Sequence, residues 1–289
     1  MISITGAAGF TGQRVVRRLI NRGLEVRAVV HRNEQRALFP DCGTLAGDVY
    51  NADFCRGAVR GADVVISMAH PLTSPNVATA CVIERIPRAV FVTTTGAFSK
   101  YRSAAAGYLA AEDAIRASGV PYTILRPTMI YGGPGDRNMH RLVRVLAKTP
   151  VFPVFGDGSH LMQPIHVDDL ADIIVAAALD DSVVGQEFNV AGANALPYKE
   201  LVRTVAAALG RRVLILHTPL GLAAAIAGAF EQAHLPFPVK REQVLRLAED
   251  KAFDTTEARR RLGFRPRTFE EGIVQEVAAV RNPQLEATP

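Results

Sequence analysis

Three evenly spaced glycines carry the clearest chemistry in this chain: Gly6, Gly9 and Gly12, in the run Gly6-Ala7-Ala8-Gly9-Phe10-Thr11-Gly12. An apolar stretch from Met1 to Thr5 precedes them. Val15, Val16, Leu19 and Ile20 follow at helical spacing, before Gly23. A strand that stops, turns sharply and enters a helix points free helix amides at an anion, which is how a dinucleotide pyrophosphate is held. Gly6 is expected to allow the turn, Gly9 to let phosphate oxygens approach the backbone, and Gly12 to let the helix lie close to the sheet. Ala8, Phe10 and Thr11 fall inside the same loop and are expected to share in the binding. The spacing is GxxGxxG rather than the commoner GxGxxG, and the chain has 23 glycines. What lifts the pattern above chance is its setting, with a second strand, Val26 to Val30, closing a strand-helix-strand unit.

The end of that second strand bears on which dinucleotide binds. A site for NAD places Asp or Glu there, roughly twenty residues beyond the glycines, to bind the adenosine ribose. Here the place holds Val30-His31-Arg32-Asn33. Arg32 suits a 2′-phosphate or the adenine face, with His31 assisting, so NADP is expected ahead of NAD. Asp48 follows a third strand and is expected either to accept from the adenine amino group or to cap its turn. Ala69, Thr93 and Pro127, at later strand ends, are expected to line the cofactor.

Hydride transfer to or from a carbonyl also needs a proton carrier, commonly a tyrosine activated by a lysine one helical turn away. The nearest match is Tyr108-Leu109-Ala110-Ala111-Glu112, where the charge is of the wrong sign and is expected to raise the phenol pKa. Lys100 lies eight residues earlier in an expected loop, and Tyr101 is followed four residues on by Ala105. Thr93, Thr94 and Thr95 end a strand expected beside the nicotinamide. Thr95, read as the most exposed of the three, either orients a substrate oxygen or caps. His70 precedes Pro71 at another strand end, near the nicotinamide ribose; its ordinary pKa suits a proton carrier, the alternative being a structural or cofactor-lining role. The catalytic candidates are therefore Thr95, Tyr108 and His70. His160 and His166-Val167-Asp168-Asp169 lack a convergent third ligand, so no metal is expected; His166 and Asp168 are read as ending a strand and capping a helix.

These residues need a sheet to bring them together. Strands are expected at Leu45-Ala46, Asp63 to Ser67, Ala89 to Thr95, Pro121 to Leu125 and Glu187 to Val190. Helices are expected at 52–57, 77–85, 108–118, 138–146, 168–179 and 198–209. The alternation implies a parallel sheet with helices on both faces. Arg126-Pro127 is read as stopping its strand, and Ile130-Tyr131-Gly132-Gly133-Pro134-Gly135 as a turn cluster. The expected divisions are a dinucleotide-binding core over 1–131, a substrate-side insertion over 132–163, a return to the core over 164–192, a smaller C-terminal part over 193–282 lying across the strand ends, and a frayed tail over 283–289.

The chain has 289 residues, 48% of them apolar, and a formal charge of +5. That is enough to bury a sizeable core and too apolar for disorder. The arginines are dispersed, and no interleaved aromatics accompany them, which argues against nucleic acid. Cys42, Cys55 and Cys81 have no metal-ligand spacing and cannot all pair, which fits a reducing compartment, the cytoplasm. Met1 falls in the first strand with no positive leader before it, so no removable export signal is expected. The most apolar stretch, Val213 to Phe230, contains Pro219 and Gly221. It reads as a buried strand, Val213 to Leu216, and an apolar helix, Leu220 to Phe230, rather than a transmembrane span. Such a helix needs covering by the fold, a second copy or a protein partner.

Together the residues resemble the extended and atypical short-chain dehydrogenase/reductase superfamily, close to the NAD(P)-dependent epimerase/dehydratase and NmrA-like or complex-I-accessory-subunit-like branches. The resemblance rests on the glycine run, Val29-Val30-His31-Arg32, Gly47-Asp48, and Glu112 through to Arg126-Pro127. It continues in Tyr131-Gly132, Gln163 to Ala171, Phe188-Asn189-Val190-Ala191-Gly192 and Leu262-Gly263-Phe264-Arg265-Pro266. It implies a Rossmann-type doubly wound α/β fold with a smaller C-terminal substrate or lid subdomain. It also implies an NAD(P)-binding oxidoreductase or epimerase-like activity on a small carbonyl, hydroxyl or nucleotide-sugar-like substrate. The family's serine or threonine matches Thr94 or Thr95. Its tyrosine and lysine fall on Ala104 and Tyr108, so the usual pair is missing. This leaves open a second function, a dinucleotide-binding redox sensor or partner-binding module without turnover.

Overall fold

Short runs rich in Val and Ile fit buried parallel strands, and thirteen strands form among the described residues. They are β1 Ile2–Thr5, β2 Val26–Val30, β3 Gly43–Ala46, β4 Val64–Ser67, β5 Ala89–Val92, β6 Tyr122–Pro127, β7 Ile130–Tyr131, β8 Val151–Phe155, β9 Leu161–Met162, β10 Ile165–His166, β11 Gln186–Val190, β12 Leu196–Pro197 and β13 Leu214–Thr218. The helices are α1 Gly12–Ile20, α2 Ala52–Val59, α3 Ser74–Ile83, α4 Arg102–Ser118, α5 Met139–Leu146, α6 Val167–Leu179, α7 Tyr198–Ala208, α8 Thr256–Leu262 and α9 Phe269–Arg281. This computed structural model describes residues 1–133, 135–136, 138–221, 224–225, 242, 245–246 and 249–281, and of residues 102–104 the backbone only. The expected helix Leu220 to Phe230, the segment 241–248 and the tail 283–289 lie largely or wholly outside the described residues.

Seven strands make one parallel sheet in the order β11-β6-β5-β4-β1-β2-β3. The chain runs outward from β1 through β3 and returns with β4 on the other side of β1. A crevice opens at the carboxyl ends of β1 and β4, where the order reverses. Helices cover both faces. Val15, Val16 and Leu19 of α1 and Leu170, Ile173 and Ile174 of α6 pack on one side. Val59 of α2, Val77 and Cys81 of α3 and Ile115 of α4 pack on the other. Each such Val, Leu or Ile contributes about 1.5–3 kcal/mol by leaving water. A third apolar cluster joins Leu142 and Leu146 of α5, Val202 and Val205 of α7, and Ile273 and Val277 of α9. This is the smaller C-terminal subdomain. No helix among the described residues is long and apolar enough to cross a membrane.

Three elements differ from expectation. β5 ends at Val92, so the three threonines lie beyond the strand. β6 continues through Arg126 and Pro127, which register with Asn189 and Val190 of β11. Leu125 O accepts from Thr93 N, so the alternate residue Pro127 faces the same neighbour. It forfeits a donor only where β5 has already stopped, which is where a strand tolerates proline. The third is β13, which among the described residues pairs only with β8 and leaves Leu214 and Leu216 exposed rather than buried.

A buried ionic cluster ties α4 to the edge of the sheet. Glu112, 1% exposed, accepts from Arg126 Nε at 2.9 and 3.0 Å, from Arg126 Nη2 at 2.7 Å, from Arg116 Nη2 at 3.2 Å and from Thr93 Oγ1 at 2.7 Å. Arg126 also pairs with Glu187 of β11, which Arg116 holds at 2.7 and 2.9 Å. Those guanidinium bonds, Arg116 foremost, hold the Glu187 carboxyl at about 2, well below its ordinary 4.5. Because the folded value is depressed, the pair's stabilisation is full above the unfolded value and is lost as pH falls toward 2. In Glu187→Gln, denaturant unfolding monitored from pH 5 to pH 2 should show a shallower loss of stability than in the parent; an identical slope would remove this pair from the acid response.

Candidate functional site

The first turn after β1 is built by close backbone approach. Gly6 sits at φ +72, and a side chain there would meet Met68 and Ala69 backbone atoms at 2.7 Å. At Gly12 a Cβ would lie 2.3 Å from Gly6 O and 2.5 Å from Ala7 O. The loop after β4 and the start of α1 therefore both press on the β1 turn, which brings Ala69 to the glycines. The turn is closed by Gly9 N donating to Gly6 O at 3.0 Å. α1 has no acidic residue in its first turn, and Thr11 makes no side-chain cap. Among the described residues no protein acceptor takes the amides of Phe10, Thr11 and Gly12. Unfilled amides at a positive helix end, in a cradle that a Cβ would fill, fit a dinucleotide pyrophosphate.

The residues expected to meet the adenosine lie at the ends of β2 and β3. His31 and Arg32 are exposed, and Gln35 Oε1 accepts from their amides at 3.1 and 3.0 Å. The Arg32 guanidinium has no carboxylate partner among the described residues. Four arginines lie on or just beyond α1, and α6 answers two of them. Asp168 pairs with Arg14 at 3.3 Å and Arg18 at 3.0 Å, and Asp172 takes Arg18 at 2.6 Å. Asp48 is exposed; its Oδ1 accepts from Tyr50 N at 2.9 Å, the capping alternative.

Tyr108 of α4, His70 after β4 and the segment after β5, the groups expected beside the nicotinamide, converge. The His70 and Tyr108 ring centroids are 6.3 Å apart. A Cβ on Gly96 would lie 3.4 Å from Tyr108 Cε2 and 3.3 Å from Thr94 Oγ1. His70 is exposed, and its Nδ1 accepts from Leu72 N at 3.4 Å, so it also caps the turn that leads into α3. The three threonines divide their work differently from expectation. Thr93 is buried on Glu112. Thr95 is 9% exposed and donates to Pro127 O at 3.2 Å, so it is not the most exposed of the three. Thr94 is half-buried, accepts from Gly96 N at 3.0 Å and keeps its hydroxyl hydrogen available. The Glu112 carboxylate, one turn along α4 from Tyr108, is taken up by two arginines and Thr93. Arg126 also stacks over Phe98 at 5.2 Å, fixing the segment that holds Thr94.

A second polar group borders the cleft from the C-terminal side. Glu276 of α9, fully buried, accepts from Gly132 N at 3.1 Å and bonds His140 Nδ1 at 2.7 Å. Asp136, 5% exposed, accepts from Asn138 N at 2.7 Å and His140 N at 3.0 Å. Burial pushes both carboxyls up. The adjoining glycines lie on the phosphate loop: a Cβ on Gly135 would be 2.4 Å from Phe10, and one on Gly133 3.6 Å from Arg14. His166 ends β10 and caps α6, its Nδ1 accepting from Asp168 N at 3.2 Å; burial, followed by Arg267, lowers its pKa to about 4. Burial raises the Cys55 and Cys81 thiols to about 11 and 12, which leaves both unreactive near neutrality. Among the described residues no three His, Cys, Asp or Glu side chains converge on a metal position.

A family model described as NAD(P)H-binding matches residues 6–181, more than half of the chain. The chain is 27% identical over 235 residues to a ceramide reductase of Caulobacter vibrioides, covering 76% of this chain and 74% of the relative. It is 25% identical over 254 residues to a 2-alkyl-3-oxoalkanoate reductase of Stenotrophomonas maltophilia, covering 72% and 76%. A longer uncharacterized protein of Mycobacterium tuberculosis is 28% identical over 220 residues, covering 76% of this chain but only 24% of that protein. Among solved structures, gox2253 superposes with a TM-score of 0.81 at 18% identity over 98% of both chains. The UDP-glucuronic acid 4-epimerase from Bacillus cereus in complex with NAD superposes at 0.75 with 16% identity, over 97% of this chain and 98% of that one. At such identities these two likenesses show the fold.

The close approaches separate glycines that the fold needs from those it does not. Gly12→Ala should cost about 1–3 kcal/mol, because its Cβ must displace backbone carbonyls. Gly57 lies exposed in α2 with nothing within 4 Å of its Cβ position, so Gly57→Ala should stabilise by about 0.5–1 kcal/mol. Urea unfolding of both variants checks the contrast, and a neutral Gly12→Ala would refute the crowding at the β1 turn.

Proposed function

Because this chain belongs to the NAD(P)H-binding family, and within it to the extended short-chain dehydrogenase/reductase superfamily, we propose that it is an NADPH-preferring oxidoreductase acting on a small carbonyl or hydroxyl compound. The observation that carries this reading is the convergence of Thr94, Tyr108 and His70 at the carboxyl ends of β4 and β5, one strand away from the glycine cradle. When bound, the nicotinamide supplies or accepts the hydride. The chain's own part is to bind, orient and protonate. The free amides before α1 hold the pyrophosphate, and Arg32, without a carboxylate neighbour, pairs with a 2′-phosphate. His31, Asp48, Ala69 and Pro127 line the remainder of the cofactor's path.

At the reacting end the Thr94 hydroxyl donates to the substrate oxygen, since its acceptor side is already filled by Gly96 N. The Tyr108 phenol supplies the proton, and His70, one ring away, passes protons between Tyr108 and solvent. Thr95 keeps the Pro127 carbonyl and the strand end in place. Similarity to two proteins named as reductases supports a carbonyl substrate, and similarity in fold to nucleotide-sugar epimerases keeps that class within the assay. The free thiols support residence in a reducing compartment, the cytoplasm.

One observation favours a second reading, a dinucleotide-binding module without turnover: Ala104 and Tyr108 stand where the superfamily resemblance places its tyrosine and lysine.

Two experiments test the proposal. Arg32→Asp should weaken NADPH binding about tenfold or more while leaving NADH binding little changed, as read by fluorescence titration; equal losses would reject NADPH selection. In a carbonyl-reduction assay over small ketones and a nucleotide sugar, Tyr108→Phe should lower kcat about 100-fold or more, and Thr94→Val should lower kcat/KM without altering NADPH affinity. Turnover that survives Tyr108→Phe with an unchanged pH profile would exclude the phenol. A parent protein that binds NADPH and reduces nothing in the panel would favour the second reading.

A further inference from the structure

Most arginines of the chain with buried or half-buried guanidiniums have an acid beside them. Arg14, Arg18, Arg88, Arg116, Arg126 and Arg267 all do. The outer face of α5 is different. Arg141 and Arg144 are exposed there at helical spacing, and Lys148 follows one turn later. No carboxylate among the described residues pairs with any of the three. They line a cavity of about 580 Å³ together with Asp136, His140, Val145 and Thr149.

The two groups on that wall able to answer the cations are already used. Both oxygens of Asp136 accept backbone amides at the start of α5, and the His140 ring is held by the buried Glu276. The inner face of the helix is fully committed to the apolar cluster through Met139, Leu142, Val143 and Leu146. Three cations therefore share one concave wall whose one lining carboxylate, Asp136, is taken up by backbone amides and whose threonine hydroxyl already donates to Val145 O at 2.9 Å. None of the glycine loop, the β2 end or the Thr94 segment contributes to this lining.

We propose that this cavity is a second ligand site, separate from the dinucleotide cleft, for a small anion carrying two or more phosphate charges, held by Arg141, Arg144 and Lys148. Two guanidiniums suit phosphate oxygens by paired N–H donors, and the lysine adds a mobile point charge. The Asp136 turn that borders the cavity continues into Gly133 and Gly135, which lie on Arg14 and Phe10 of the phosphate loop. Occupancy is thus placed one loop away from the pyrophosphate cradle. The inference does not depend on the reaction proposed above.

Calorimetric titration of NADP-saturated protein with inorganic pyrophosphate tests it, since saturation closes the glycine cradle to the probe. The parent should bind saturably and more weakly as salt rises. Arg141→Gln/Arg144→Gln/Lys148→Gln should bind pyrophosphate about tenfold or more weakly while its NADPH affinity and melting temperature stay unchanged. A parallel titration with ADP separates the sources: tighter binding of ADP means that the phosphates arrive on a nucleoside, and equal binding means that the free anion is sufficient. Pyrophosphate binding that NADP abolishes would place the probe in the cradle and overturn the second site. So would an unchanged affinity in the triple variant, or no saturable binding by the parent.

Discussion

A carboxylate with almost no exposed surface needs hydrogen-bond donors in place of the water it has lost, and that requirement at Glu112 organises the carboxyl-end region of the sheet around α4. Desolvating such a charge costs several kcal/mol, which one surface-type pairing does not offset. Glu112 receives five hydrogen bonds instead, from Nε and Nη2 of Arg126, from Arg116 and from Thr93. These partners belong to α4, to β6 and to the residue just beyond β5, and Glu187 adds β11 through the same arginines. Satisfying one buried charge therefore fixes how a helix lies against three adjacent strand ends. Tyr108 stands one helical turn before Glu112 on the same helix, so its position beside Gly96 follows from that docking.

The cofactor side is governed by a different economy of charge. α1 and the residue pair after it are rich in arginine, but Asp168 and Asp172 of α6 answer Arg14 and Arg18, so the helix is tied to its neighbour across the sheet face. Among the described residues no carboxylate pairs with Arg32 at the end of β2. The β1 turn offers backbone amides instead, those of Phe10, Thr11 and Gly12 having no protein acceptor among the described residues. Phe10, held under Arg14 at 4.6 Å and against Gly135, closes the loop from the C-terminal side.

What could be read from the sequence was local. Gly6, Gly9 and Gly12, the apolar spacing of α1 and the Val-rich strands state their geometry in consecutive residues, and the parallel sheet follows from their alternation. The errors came where distant residues decide. Thr95 and Thr94 look equivalent in a run of three threonines; Pro127, which lies on a neighbouring strand, makes the first of them structural. Arg126-Pro127 reads as a strand stop until the early end of β5 removes the need for a proline amide. Glu112 looks like a neighbour of Tyr108 by helical spacing, whereas its charge is spent on an arginine fourteen residues away. The group of Asp136, His140 and Glu276 joins residues separated by 136 positions and left no signal to find.

A fold can keep its cofactor cradle while changing the group that moves the proton, because the two depend on different physics. The cradle is made of backbone: any side chain at Gly12 collides with carbonyls, so the loop has essentially one solution. A proton carrier needs only an oxygen or ring nitrogen within reach of the substrate atom, and several surrounding elements can offer one. Ala104 carries no such group. Around the same crevice, however, α4 brings Tyr108, the loop after β4 brings His70 and the turn after β5 brings Thr94, each held by contacts that do not involve the others' side-chain hydroxyls or ring nitrogens. If the superfamily's usual pair is absent, as the resemblance implies, the proposed function draws its proton carrier from these groups instead.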